Sequence, residues 1–196
     1  TWRSTSPDAG TRPPEHVIQS AAELRAIYDA RGDMKAYAML TESTGLTAID
    51  CYRLAKMAEA KQRIQTALDW VERGLALDEK AQHEDRCAGM LSGMQPLLLI
   101  RLGKNGEAGD VAWRLFRESP SVATYELVMR VAPPPKRQIW HRQAMAMGSG
   151  YLRAPLDLFL HTQEWARLGR RISQTDLAAL DVFGSQLPDH VWLSLA

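Results

Sequence analysis

Between Cys51 and Glu79 the chain carries two apolar runs at helical spacing, separated by a polar turn near Lys61 and Gln62. Leu54 and Ala55 fall on a first helix; Ala67, Leu68, Val71 and Gly74 fall on a second. Small residues at 55, 67 and 74, with bulky apolar ones between, let two antiparallel helices approach closely. Such a hairpin cannot bury its apolar faces alone, so the rest of the chain has to supply further hairpins to stack on it. The fold class expected is all-α: a right-handed α-solenoid of stacked antiparallel helix hairpins.

The remaining pattern agrees with that expectation. Residues 1–16 are polar and rich in Pro, Ser and Thr, and read as a tail or linker ahead of one helical domain over 17–196. A first helix is expected over 17–31, ended by Gly32, and Asp33 caps a second that Gly45 stops. Thr47 and Asp50 form a capping box for the helix carrying Tyr52, Leu54 and Ala58, and its partner runs over 63–77. Residues 81–102 read as one amphipathic helix, interrupted or kinked near Gly93 and Pro96, because proline removes a donor and clashes with the preceding turn. Gly103-Lys104-Asn105-Gly106 is a turn capped by Asn105, before a return helix over 107–117. A helix over 121–132 stops at Pro133-Pro134-Pro135, an extended connector. Helices over 136–147, 154–168 and 174–183 follow, the last begun by Ser173 and Asp176, and a final one starts near Pro188. No alternating strand pattern survives inspection.

Composition narrows the class further. A hydrophobic fraction of 45% and a charged fraction of 24% belong to a folded chain rather than a disordered one. The net charge of +1 gives no global field toward nucleic acid or membrane. No apolar run approaches the ~18 residues of a membrane span. Cys51 and Cys87 are too few for a disulfide framework, so a reducing, cytoplasmic setting is expected. The chain begins at Thr1 without an initiator Met, as a piece of a longer protein would.

Ala58-Glu59-Ala60-Lys61-Gln62-Arg63 and Ala67-Leu68-Asp69-Trp70-Val71-Glu72-Arg73-Gly74-Leu75 together resemble a bacterial tetratricopeptide-like repeat region. Regions of that kind lie downstream of SWIM-type zinc fingers and also occur without the finger. Trp113-Arg114-Leu115-Phe116-Arg117-Glu118-Ser119-Pro120-Ser121 and Tyr125-Glu126-Leu127 resemble the same region, and the similarity spans roughly 20–195. It departs at Lys61, where a turn glycine is usual, and no cysteine–histidine SWIM cluster is present. The matching alanines, Ala67 and Ala108, are 41 apart, longer than the about 34 of a tetratricopeptide and nearer the HEAT range. What the resemblance implies is a solenoid of unassigned function; it supplies no catalytic residue.

Motifs for chemistry are sparse. His83 and Cys87 share a helical face, but a structural zinc site takes four ligands, and Glu84 and Asp85 point elsewhere. The other histidines are isolated in sequence and read as packing or surface residues. Gly148-Ser149-Gly150 lacks the spacing of a nucleophile elbow, and Gly103 to Gly106 lacks that of a phosphate loop. No catalytic residue, metal or cofactor is expected.

The expected function is therefore a non-enzymatic scaffold that binds another protein or a peptide, an inference from architecture to use. Candidate contacts lie on first helices of hairpins: Arg53, Lys56 and Glu59. The alternative is nucleic-acid association through residues 99–171, which hold 12 basic and 6 acidic residues, whereas 15–86 hold 10 basic and 13 acidic. Arg130, Lys136, Arg137, Arg142, Arg167, Arg170 and Arg171 are the candidate phosphate contacts in that reading.

Overall fold

In a computed structural model, residues 15–81, 87–147 and 153–173 are described, and every regular element among them is helical. The helices are α1 (Glu15–Arg31), α2 (Met34–Thr44), α3 (Ala48–Ala60), α4 (Ile64–Ala81), α5 (Cys87–Arg101), α6 (Asn105–Glu118), α7 (Val122–Val131), α8 (Arg137–Ala146), α9 (Arg153–His161) and α10 (Trp165–Ser173). They belong to two compact units, Thr1–Leu102 and Gly103–Ala196. Among the described residues no helix is long and apolar enough to cross a membrane.

In the first unit, α1 packs on α2, α2 on α3, and α3 and α4 on each other and on α5. The expected capping box forms: the Thr47 hydroxyl accepts from Asp50 N, and Asp50 accepts from Thr47 N. The small residues do what their size allows. Ala55, Ala58 and Ala67 are fully buried. A β-carbon added at Gly74 would stand 2.8 Å from Cys51 Cβ and 2.8 Å from Leu91 Cδ1. Only a glycine lets α3, α4 and α5 close on one another at that point. Tyr37, Leu54 and Met57 form a core cluster of this unit, with Trp70, Leu46 and Tyr28 packed against it.

In the second unit, α6 packs on α7, α7 on α8 and α9, α8 on α9, and α9 on α10. Aromatic rings take the place of the small-residue seam. Trp140 lies so close to α6 that a β-carbon on Gly109 would meet its ring edge at 2.8 Å, and its ring meets Trp113 edge-on at 5.6 Å. Trp165 packs on the Leu156–Leu168 cluster. Ser121 and Thr124 form a capping box for α7.

One turn recurs. Gly32, Gln62 and Gln163 all adopt left-handed backbone, with φ of +63°, +58° and +59°. In each case the next N–H donates to a carbonyl five residues back: Asp33 to Tyr28, Arg63 to Ala58, Glu164 to Phe159. That bond closes the preceding helix and satisfies one of its last carbonyls. A new helix begins two residues after the left-handed position, and the fifth residue after it (Tyr37, Ala67 or Leu168) is buried. Gly103, with φ of +76°, keeps the same register to α6 and to buried Ala108.

Several boundaries differ from expectation for this reason. The left-handed position is Gln62, not Lys61, and a second such Gln splits the helix expected over 154–168 into α9 and α10. No glycine or proline announces either turn. Ser173 is the last described residue of α10, and its hydroxyl donates to Arg170 O. The cap of α6 is Lys104, and Asn105 is its first helical residue. α4 runs on to Ala81, because Asp78 and Glu79 carry no stop signal. Pro133 is extended, but Pro134–Lys136 make a single 3-10 turn, which the fixed proline φ also suits. Pro96 lies inside α5. The tail expected over 1–16 is overturned at its end, where Glu15 and His16 belong to α1. Its residues 1–14, His83, Glu84 and Asp85, the Gly148–Gly150 loop, the helix over 174–183 and the start near Pro188 lie outside the described residues.

Candidate functional site

The residues singled out on α3 form a stripe of ion pairs in the first unit. Arg53 and Lys56, and Lys56 and Glu59, are three apart and share one helical face. Arg53 Nη1 donates to Asp29 Oδ2 of α1 at 3.0 Å, and Lys56 Nζ donates to Glu59 Oε2 at 2.9 Å. Arg101 at the end of α5 donates to Glu59 Oε1 at 3.1 Å and to Gln62 Oε1 at 2.7 Å. Lys61 Nζ reaches Gly32 O at 2.7 Å. The first helices α1, α3 and α5 are thus laced along one surface. These side chains are 29–54% exposed, and at such a solvated surface a single pair contributes about 0–1 kcal/mol. Their energetic weight is small, so the charges stay free to re-pair.

Beneath the stripe lies a polar centre that the sequence showed only in part. Asp50 is 3% exposed, yet its oxygens are fully engaged. Oδ1 accepts from the Tyr37 hydroxyl at 2.8 Å and faces Arg25 Nε at 3.6 Å; Oδ2 accepts from the Thr47 hydroxyl at 2.6 Å and Thr47 N at 3.1 Å. Arg25 also donates to Thr44 Oγ1 and Gly45 O. One carboxylate thereby caps α3 and ties it to α1 and α2. Burial, followed by the bond to Asp50, pushes the Tyr37 phenol well above the ordinary tyrosine range. Burial likewise pushes the Cys51 thiol up to about 11.

The second unit brings together residues that are far apart in sequence. Tyr125 Oη lies 2.8 Å from His141 Nδ1, and His141 Nε2 lies 2.8 Å from Glu164 Oε1. Glu164 Oε2 accepts from Arg167 Nε at 2.8 Å. A carboxylate only accepts, so a neutral His141 that makes both bonds carries its proton on Nε2 and accepts a hydrogen bond from the Tyr125 hydroxyl at Nδ1. His161 completes the group, with Nε2 3.3 Å from Glu126 Oε1 and its ring edge-on to Tyr125. The left-handed turn at Gln163 is what sets Glu164 opposite α8.

A hydroxyl, an imidazole and a carboxylate in series have the order of a catalytic triad. Here the hydroxyl is a phenol 8% exposed, and burial, then the Glu164 charge, raise its pKa. Nucleophile activation needs the opposite shift. As built, the chain of bonds clamps α7, α8 and the α9–α10 turn together. Residues 125, 141 and 164 follow no helical or motif spacing, so no signal in the sequence pointed to the group. Among the described residues no set of three or more His, Cys, Asp or Glu is placed to hold a metal ion; Cys87, half-buried, opens α5.

The seven basic candidates divide in two. Arg130, Lys136, Arg137 and Arg142 are exposed and meet no carboxylate among the described residues. Arg167 is held by Glu164, and Arg170 Nε donates to Ala166 O. Arg171 is half-buried. Compared with known protein families, curated proteins and solved structures, the chain matches none.

Proposed function

We propose that the chain is a right-handed α-solenoid of the tetratricopeptide and HEAT kind, a non-enzymatic cytoplasmic scaffold whose first-helix surface binds another protein or a peptide. The recurrent left-handed turn carries this reading. Gly32, Gln62 and Gln163 share one turn geometry and one burial register, as repeated hairpins of a single structural unit do. A repeat region resembling those associated with SWIM fingers fits the same pattern. The stripe Arg53, Lys56, Glu59 and Arg101 offers a partner alternating charges on an already ordered surface, which lowers the entropic cost of binding. The fully buried Cys51 thiol is compatible with a reducing compartment.

Nucleic-acid association has in its favour the four exposed cations of the second unit that meet no carboxylate among the described residues. Against it, Trp113, Trp140 and Trp165 are half-buried in packing and present no stacking platform. A photo-cross-linking residue at Lys56, introduced in the native host, tests the leading reading. The expected product is one discrete polypeptide adduct that disappears with Arg53→Ala and Glu59→Ala. Adducts sensitive to nuclease, or none from this face, would overturn it.

A further inference from the structure

α1 is apolar on two sides. On one, Ala21 is 4% exposed, Tyr28 packs against the Tyr37 cluster and Arg25 reaches Asp50. On the other, Leu24 and Ile27 are 39% and 45% exposed. With Ser20 and Arg31, both exposed, they follow the spacing i, i+4, i+7, i+11, which sets the four on one stripe about 60° wide. The recurrent left-handed turn lets α1 be compared with α3 position by position. Counted back from Gly32 and from Gln62, Leu24 stands where Leu54 does, and Ile27 where Met57 does. Leu54 and Met57 are 0% and 7% exposed, in one cluster with Tyr28, Met34, Tyr37 and Ala38 of the preceding hairpin. The face that a hairpin covers on α3 is thus repeated on α1 and left open to solvent. A helix that closed a stack of repeats would carry a polar outer face.

Charge decides what covers this face. Asp29 and Glu59 hold the same position, three residues before the turn, and each accepts from a cation on the next first helix, Arg53 and Arg101 in turn. The counterpart of Arg53 on α1 is Glu23, which is exposed. A further hairpin stacked on α1 in the same parallel manner, with the same acid before its turn, would set two carboxylates against each other. An antiparallel neighbour does the reverse. Glu23 and Arg31 lie four residues to either side of Ile27, about 6 Å along the axis each way. Two α1 helices paired antiparallel about Ile27 therefore bring Glu23 of each copy level with Arg31 of the other. Leu24 comes level with Ala30, a small exposed residue that leaves it room. Opposite charges at the two ends of an apolar stripe give the self-complementarity that a twofold interface requires. We propose that two copies of the chain associate through α1, with Leu24 and Ile27 buried between them and Glu23 paired with Arg31 across the twofold axis. The stripe lies on the side of α1 opposite Asp29, so the pairing stands whether or not the α3 stripe binds a partner.

Sedimentation equilibrium over a concentration series reads the association directly. The parent chain should pass from monomer to dimer as its concentration rises. Ile27→Glu sets two like charges together at the buried centre and should weaken the dimer roughly a hundredfold. Leu24→Ser with Ile27→Ser tests the same contact without a charge and should weaken it roughly tenfold. Glu23→Arg and Arg31→Glu each place like charges opposite one another and should each weaken the dimer roughly tenfold. Combined in one chain they restore opposite charges, and affinity should return to within about threefold of the parent. Helix content by circular dichroism should hold throughout, because every altered side chain is exposed in the single chain. A parent that stays monomeric, leaving the α1 face to a different chain or to none, would overturn the proposal. So would a dimer indifferent to Ile27→Glu and to the double serine change, or two single reversals whose combination recovers nothing.

Discussion

In the first unit Arg53, Lys56 and Arg101 each have an acidic partner, and the helices close on glycine and alanine; in the second, Arg130, Lys136, Arg137 and Arg142 meet no carboxylate among the described residues, and tryptophan rings fill the packing. Both units use the same left-handed turn between helices. The difference lies in how the space beyond the turn is filled. Small residues at 55, 67 and 74 allow close backbone approach and leave surface charges within reach of neighbouring helices. Large rings at 113, 140 and 165 fill the second unit, whose clamp is a chain of hydrogen bonds through Tyr125 and His141. The contrast shows one shared turn serving two ways of filling the space beyond it: close backbone approach at small residues, or the packing of aromatic rings.

The largest expected effect breaks the polar centre of the first unit. Asp50→Ala strips the cap from α3 and leaves the Tyr37 hydroxyl and Arg25 without their acceptor, at a cost of about 3 kcal/mol or more. Hydrogen exchange should show lost protection in α1–α3 with α7–α10 unchanged; equal loss in both units would break the comparison. Next comes Gly74→Leu. Cys51 Cβ is a stem atom and cannot swing aside, so overpacking should destabilise on the order of 1–3 kcal/mol. Gly109→Ala meets only the edge of the Trp140 ring and should cost less. A Gly74→Leu melting temperature at or above the parent's would argue against the close seam.

Alkaline pH sharpens the contrast. The folded Cys51 thiol holds its proton to about pH 11 against an ordinary value of 9.0. The folded pKa is the higher one, so its contribution is complete below pH 9 and is lost as pH rises toward 11. Tyr37 adds loss in the same direction above pH 10. Denaturant titrations should show the first unit weakening across this range, and Cys51→Ala, which keeps the β-carbon, should flatten the earlier part. A slope unchanged by Cys51→Ala would remove the thiol from the account.

Tyr125→Phe removes the hydroxyl that feeds His141 and should cost about 1 kcal/mol, read as faster exchange in α7 and α8 alone. The smallest effects concern the turns. Gln163→Gly relieves a left-handed side chain and should stabilise by about 0.5 kcal/mol after the entropy of the freer unfolded chain is counted. Gln62→Gly should gain less, because Gln62 Oε1 also accepts from Arg101. Equal gains at both positions would show that the Arg101 contact carries no weight.

Local signals were readable in the chain. Helical class, the extent of α3, the start of α4 and the Thr47–Asp50 box follow from neighbours within four or five positions. Such neighbours interact whatever the rest of the chain does. The small residue at 74 was legible as a pattern but is required by Cys51 and Leu91, far from it along the chain. The turn near Lys61 and Gln62 was readable, but its left-handed position at Gln62 and the whole turn at Gln163 were not, since glutamine is a good helix former and its strained conformation is imposed by the helices on either side. The same holds for the candidate sites. The α3 stripe was legible as a shared face, but its pairing with Asp29 and Arg101 was decided by how α1 and α5 pack against α3. The meeting of Tyr125, His141 and Glu164 required three helices and a turn to set side chains 16 and 23 residues apart within hydrogen-bonding distance. Short-range periodicity determined what each segment becomes; helix packing, which depends on volume and on contacts far apart in the chain, decided which polar groups meet.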